Sequence, residues 1–98
     1  MNIHITSRKF KAKETLKEFI NKEVKSLEKY NEKILDVNVV LSYTHVKDSI
    51  KTAEIIVKIP GKTLNVSEDS EDFAKSINIA LDKLKRQLKK EKSKRNSK

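Results

Sequence analysis

Cysteine and tryptophan are both absent from this 98-residue chain, and the missing thiol removes disulfides, thiolate metal sites and thiol nucleophiles together. Glycine and proline occur once each, side by side at Pro60-Gly61. One glycine cannot build the phosphate-cradling loops of P-loop or dinucleotide-binding proteins, and the pair marks the sharpest reversal of the chain. No apolar run exceeds three residues, which excludes a spanning helix and a secretory core. His4 and His45 are the only histidines, one on a strand and one in a loop, with no carboxylate at a ligand-like spacing, so both read as ordinary surface residues. No G-x-S-x-G frame surrounds a serine, and nothing else marks a nucleophile. These absences predict a cytoplasmic, non-enzymatic protein with no cofactor, no metal, no small-molecule substrate and no membrane anchor.

What the chain has in quantity is positive charge: 23 Lys and Arg against 14 Asp and Glu, a formal net of +9. The excess is uneven. Residues 1–81 carry 14 basic and 12 acidic side chains, whereas residues 82–98 carry nine basic against Asp82 and Glu91. A block of this density attracts polyanions, of which nucleic acid, an anionic membrane surface and an acidic protein are the candidates. Leu, Ile, Val and Phe still total 28 of 98 residues, enough for a small core under a charged shell.

Apolar periodicity predicts the order β-α-β-β-β-α. Ile3 and Ile5 alternate with His4 in a first strand, 2–6. Leu16, Phe19, Ile20, Val24 and Leu27, with Tyr30 at the edge, recur at helical spacing and predict a helix over 14 to about 32. Val37, Val39, Leu41 and Tyr43 form one face of a second strand; Ala53, Ile55, Val57 and Ile59 form that of a third. Leu64 and Val66 mark a short fourth over 63–66. The acidic cluster Glu68, Asp69, Glu71 and Asp72, with Ser70 as cap, suits a helix N-terminus. Capping is a better use of these carboxylates than holding a divalent cation. Phe73, Ile77, Leu81, Leu84 and Leu88 then give a long helix over 71 to about 92. The fold class is α+β: a four-stranded sheet with two helices on one face and the other face wet. Residues 1–92 make a single domain, and 93–98 a basic, mobile tail.

Projected at ~100° per residue, Lys75, Lys83, Arg86, Lys90 and Lys94 fall opposite the apolar stripe of the second helix, with Lys85, Lys89 and Lys92 on a flank. On the first helix Lys22, Lys25, Lys29 and Lys33 lie opposite its stripe. Two basic ridges on one outer surface suit the phosphates of structured RNA, which need point charges on rigid elements and little base readout. Sheet-face recognition of single strands would need exposed aromatics, but Phe19, Phe73, Tyr30 and Tyr43 occupy apolar registers and are expected in the core. Membrane binding would need the Phe73 to Leu88 stripe, which the sheet requires.

Asp82-Lys83-Leu84-Lys85-Arg86-Gln87-Leu88-Lys89-Lys90-Glu91-Lys92 fits the pattern D-K-L-x-R-Q-L-x-K-x-K. With Ile3-His4-Ile5-Thr6, Leu16-Lys17-Glu18-Phe19, Leu27-Glu28-Lys29-Tyr30 and Glu71-Asp72 in order, the chain resembles the ribosome hibernation promoting and ribosome-associated inhibitor family, also labelled sigma-54 modulation proteins. The resemblance covers residues 2–92. It implies a fold akin to the double-stranded-RNA-binding domain and binding to the small ribosomal subunit and its rRNA near the decoding centre, in the channel of mRNA and tRNA. Translation would thereby be inhibited and idle ribosomes preserved under stress or in stationary phase. It assigns Lys83, Arg86, Lys90 and Lys92 to phosphate contacts; Lys75, Lys89, Lys22, Lys25 and Lys29 join them on helical geometry alone. A second hibernation factor is a further partner it implies.

Departures from the family pattern are Phe73-Ala74 in place of Met-Tyr, Lys13 in place of a capping Thr, and Glu23 and Ser26 where lysines often stand. The chain resembles short members that lack the C-terminal domain. The alternative reading is a protein-interaction module whose basic helix engages an acidic partner.

Overall fold

The computed structural model describes the backbone of residues 1–45 and 50–96 and the side chains of 1–43 and 50–92. The elements are β1 (Asn2–Ser7), α1 (Glu14–Lys25), a 3-10 turn (Ser26–Lys29), β2 (Asp36–His45), β3 (Ile50–Ile59), β4 (Lys62–Ser70) and α2 (Phe73–Asn96). The sheet has the order β1-β2-β3-β4. β1 runs parallel to β2, pairing Ile3 with Val37 and Ile5 with Val39, and the other two pairs are antiparallel. A parallel neighbour cannot be reached by a tight turn, so α1 serves as the crossover between β1 and β2.

One face of the sheet is dry because each strand alternates. Val37, Val39, Leu41, Ala53, Ile55, Val57, Leu64 and Val66 are buried with Ile20, Val24 and Leu27 from the first helical segment and Phe73, Ile77, Ala80, Leu81, Leu84 and Leu88 from α2, all in one cluster. Both helices therefore cover the same face. His4, Asn38, Lys58, Thr63 and Asn65 are exposed on the other, with Val40 and Ile56 half-buried there. The buried Ser76 hydroxyl donates to the Lys51 carbonyl at 2.9 Å and lies 2.7 Å from the Ser70 hydroxyl, so the core holds no unpaired hydroxyl at that point. Leu84 is fully buried. Leu84→Ala removes its packing and leaves a void, so urea unfolding should show a loss of about 2–5 kcal/mol, a large share of a small domain's stability.

Several boundaries differ from the sequence expectation. The first helix ends at Lys25 rather than near 32, and a 3-10 turn follows. Ser26 sits there with its hydroxyl donating to the Glu23 carbonyl, a local bond that competes with the α-helical ladder. The fourth strand reaches Ser70 rather than 66: Ser70, Asp69 and Glu68 pair with Lys51, Thr52 and Ala53, and the Thr52 hydroxyl donates to Asp69 Oδ1 at 2.7 Å. Glu68 and Asp69 thus belong to the sheet, and α2 starts at Phe73. Its cap is Asp72, whose Oδ1 accepts the Ala74 N–H at 3.1 Å; Ser70 acts one step back, accepting the Asp72 N–H at 3.2 Å. His45 ends β2 instead of lying in a loop. Lys13 makes no side-chain cap bond, yet α1 begins directly after it.

Pro60-Gly61 makes the tight β3–β4 turn, with Ile59 paired to Lys62 and Gly61 at φ +77; Pro followed by a residue of positive φ is the type II pattern. α2 outruns its core. Leu88 is its last buried apolar residue among the described side chains, yet the helix continues to Asn96, past the expected end near 92, because nothing before that point is glycine or proline and Lys and Arg favour a helix C-terminus. Of the tail expected over 93–98, residues 97 and 98 lie outside the described residues.

Candidate nucleic-acid interface

α2 carries nine basic residues and two acidic ones between Phe73 and Asn96. Since the stripe from Phe73 to Leu88 is pressed on the sheet, the basic side chains have only the outer face and flanks to occupy. Lys75, Lys83, Arg86, Lys89, Lys90 and Lys92 are all exposed. They are not equivalent. Lys83 leans to the sheet edge and forms an ion pair with Glu68 of β4, and Lys62 of β4 pairs in turn with Glu91 of α2. These two ties fasten the helix along β4. Lys75 lies 3.9 Å from Glu71 across an exposed helical turn, a contact worth little in solvent. Arg86, Lys90 and Lys92 have no ion pair among the described residues, and they form the part of the ridge whose charge is uncommitted. Lys94 is placed on the same ridge by periodicity, and its side chain lies outside the described residues.

Lys85 and Lys89 take a third position. Their ammonium groups stand 5.7 and 5.2 Å from the centroid of the Tyr30 ring, so the flank of α2 is held against the chain that follows the 3-10 turn. Such contacts contribute about 0.5–1 kcal/mol at exposed sites. Tyr30 is half-buried and packs against the core cluster from its edge, as its register predicts, and its outer side serves as the seat for these two lysines.

The first ridge is the weaker. Lys22, Lys25 and Lys29 are exposed, but Lys29 belongs to the 3-10 turn, where α-helical projection no longer applies. Residues 14–33 hold five lysines and five glutamates, so the segment is locally neutral, whereas α2 is strongly cationic. The surface is one strong rail with scattered cations beside it. Among the described residues no grouping of three or more His, Cys, Asp or Glu is suited to a metal.

One cationic feature escapes periodicity. Arg8, Lys9, Lys11 and Lys13 place four cations within six residues free of carboxylates, in the loop between β1 and α1. Within it Lys9 takes φ 62, a left-handed conformation that costs a side-chain-bearing residue about 1–2 kcal/mol. Phe10 follows and packs against Tyr43 and Phe73, with ring centroids 5.0 and 5.3 Å away. Tyr43, also expected in the core, is 44% exposed: it continues the inward face of β2, but it stands at the starts of both helices, where their cover ends. The run of cations around Phe10 is the sequence signal that could have marked this site.

The chain is similar along its length to known proteins. It is 32% identical over 94 residues to the ribosome hibernation promoting factor of Escherichia coli (strain K12), with 96% of each chain covered. The N-terminal domain of Thermus thermophilus Protein Y superposes with a TM-score of 0.81 at 30% identity, covering 92% of this chain and 98% of that one. A ribosomal subunit interface protein from Coxiella burnetii gives 0.84 at 26% identity, covering 95% and 99%. The family described as sigma 54 modulation protein / S30EA ribosomal protein matches residues 3–96, and the chain belongs to that family.

Proposed function

We infer that this protein is a ribosome hibernation factor, which binds the small ribosomal subunit, inhibits translation and preserves idle ribosomes in stress or stationary phase. The observation that carries the reading is the α2 rail: nine basic residues against two acidic between Phe73 and Asn96, with Arg86, Lys90 and Lys92 exposed. Fixed cations on a rigid helix match phosphates held in place by folded rRNA and supply position without base readout. The role needs no chemistry on a substrate.

The site on the subunit is the mRNA and tRNA channel near the decoding centre, with Arg86, Lys90 and Lys92 on rRNA phosphates, and Lys22, Lys25, Lys29, Lys75 and Lys89 alongside. Lys83 reaches a phosphate only by exchanging its Glu68 partner. Residues 1–92 are the ribosome-binding unit, related in layout to the double-stranded-RNA-binding domain. The setting is the cytoplasm, where ribosomes are, and no helix among the described residues is long and apolar enough to cross a membrane. A second hibernation factor joins on the same ribosomes.

A sucrose gradient of stationary-phase extract tests the reading. The protein should travel with small subunits, monosomes or ribosome dimers, and should return to the top of the gradient after ribonuclease treatment. Retention in a protein complex that survives ribonuclease would favour the acidic-partner alternative instead.

A further inference from the structure

Phe10, Tyr43 and Phe73 enclose the inner wall of a groove of about 280 Å³ at the end of the molecule where α1 and α2 begin. Phe10 and Phe73 stack at an interplanar angle of 9°, and Tyr43 meets them at 74° and 75°. Two edge-on contacts fix the Tyr43 ring while 44% of the residue stays open. A ring serving only the core would be covered. Among the described residues, the charged ones lining the groove are Lys11, Lys13 and Lys51, and none is acidic. Lys51 is anchored, donating to the Glu71 carbonyl at 3.0 Å, and stands 5.6 Å from the Tyr43 centroid. The backbone at Lys9, at φ 62, is the turn that delivers Phe10 into the cluster, so a costly conformation supports this wall.

We propose that this groove takes one unstacked base of RNA, laid on Tyr43, with its neighbouring phosphates on Lys11 and Lys13. The occupant follows from the pairing of a preformed π-surface with flanking cations. An acidic peptide would answer the lysines but leave the aromatic surface unused, whereas a nucleotide answers both. At ~1.5 Å per helical residue, Phe73 and Arg86 are roughly 20 Å apart along α2, so the groove is a contact separate from the Arg86 to Lys92 stretch of the rail. The proposal rests on the reading of the protein as an rRNA binder and adds a base-stacking point to it.

The test uses the full chain carrying Tyr30→Phe. With no tryptophan and only two tyrosines in the sequence, Tyr43 is then the sole strong emitter. The probes are a single-stranded adenosine RNA hexamer and the same hexamer with abasic nucleotides throughout. The intact hexamer should quench Tyr43 and bind about 10-fold more tightly than the abasic one, in keeping with one stacked base. Adding Tyr43→Leu, which keeps an apolar contact to the phenylalanines, should bring both hexamers to the same weaker affinity with the circular dichroism unchanged, binding then being followed by anisotropy of labelled RNA. Lys11→Gln with Lys13→Gln should weaken both equally. Equal affinity for the two hexamers in the Tyr30→Phe protein overturns the proposal, as does matching quenching by polyglutamate, which would make the groove a protein site. Small-subunit binding is measured in parallel. If subunits bind but the hexamers are not distinguished, the groove proposal alone fails; if the hexamers are distinguished but subunits do not bind, the ribosomal reading alone fails.

Discussion

Between 50 and 200 mM salt, the affinity of this protein for the small ribosomal subunit should fall by roughly 10³- to 10⁵-fold, the loss that accompanies neutralisation of about six to ten phosphates on duplex nucleic acid. The count has a structural basis. Lys22, Lys25, Lys29, Arg86, Lys89, Lys90 and Lys92 are exposed and free of ion pairs among the described residues. Each neutralised phosphate releases condensed counterions, and added salt opposes that release. Co-sedimentation with purified subunits at fixed magnesium, repeated over a salt series, gives the slope directly. An affinity independent of salt would remove the electrostatic account, whatever the family relationship.

Reversing Arg86, Lys90 and Lys92 together to Glu should weaken subunit binding by roughly 10³-fold or more, because three phosphate contacts are lost and three repulsions take their place. Folding should survive. All three side chains are exposed, and the core residues beside them on α2, Leu84 and Leu88, are untouched. The reversal does set a carboxylate at position 86 one helical turn after Asp82, where the parent has the opposite charge, and adds carboxylates toward the helix C-terminus, which together cost on the order of 1–2 kcal/mol. The triple Gln variant avoids that repulsion with a residue of similar helix propensity, and should still lose about 10²-fold in affinity with a salt slope lower by about three. Lys83 is left out deliberately: its reversal would set a second carboxylate against Glu68, its ion-pair partner on β4, and a loss of binding could then arise from a loosened helix. If the Gln variant binds subunits as tightly as the parent, the rail is not the contact surface.

The chain order and the long cationic helix are legible in the sequence because they depend on local period. Phe73, Ile77, Leu81, Leu84 and Leu88 recur at steps that only a helix brings to one side, and the residues between them must then face out. What escapes is set by partners distant in sequence. Glu68 to Ser70 resemble a helix cap when viewed locally, but their cross-strand pairing with Lys51 to Ala53 makes them strand. Tyr43 has an apolar register, yet register does not tell where the covering helices stop, and 44% of it is exposed. Phe10 belongs to no periodic run, and its meeting with Tyr43 and Phe73 exists only once β1, β2 and α2 are assembled. The local neutrality of residues 14–33 escapes projection for another reason: projection counts the lysines of one side and ignores the glutamates interleaved with them.

The stretch of α2 beyond Leu88 has a consequence for how such a protein can change over generations. Upstream of that leucine, replacements on the inner side of the helix are screened by the need to fold; downstream, no buried apolar side chain is at stake among the described residues, and the fold asks for helix-compatible residues, the Lys89 contact with the Tyr30 ring and the Glu91 tie to Lys62. Selection on that overhanging segment therefore answers almost wholly to the partner. Its composition can drift with the ribosome it meets while the body of the molecule stays as it is.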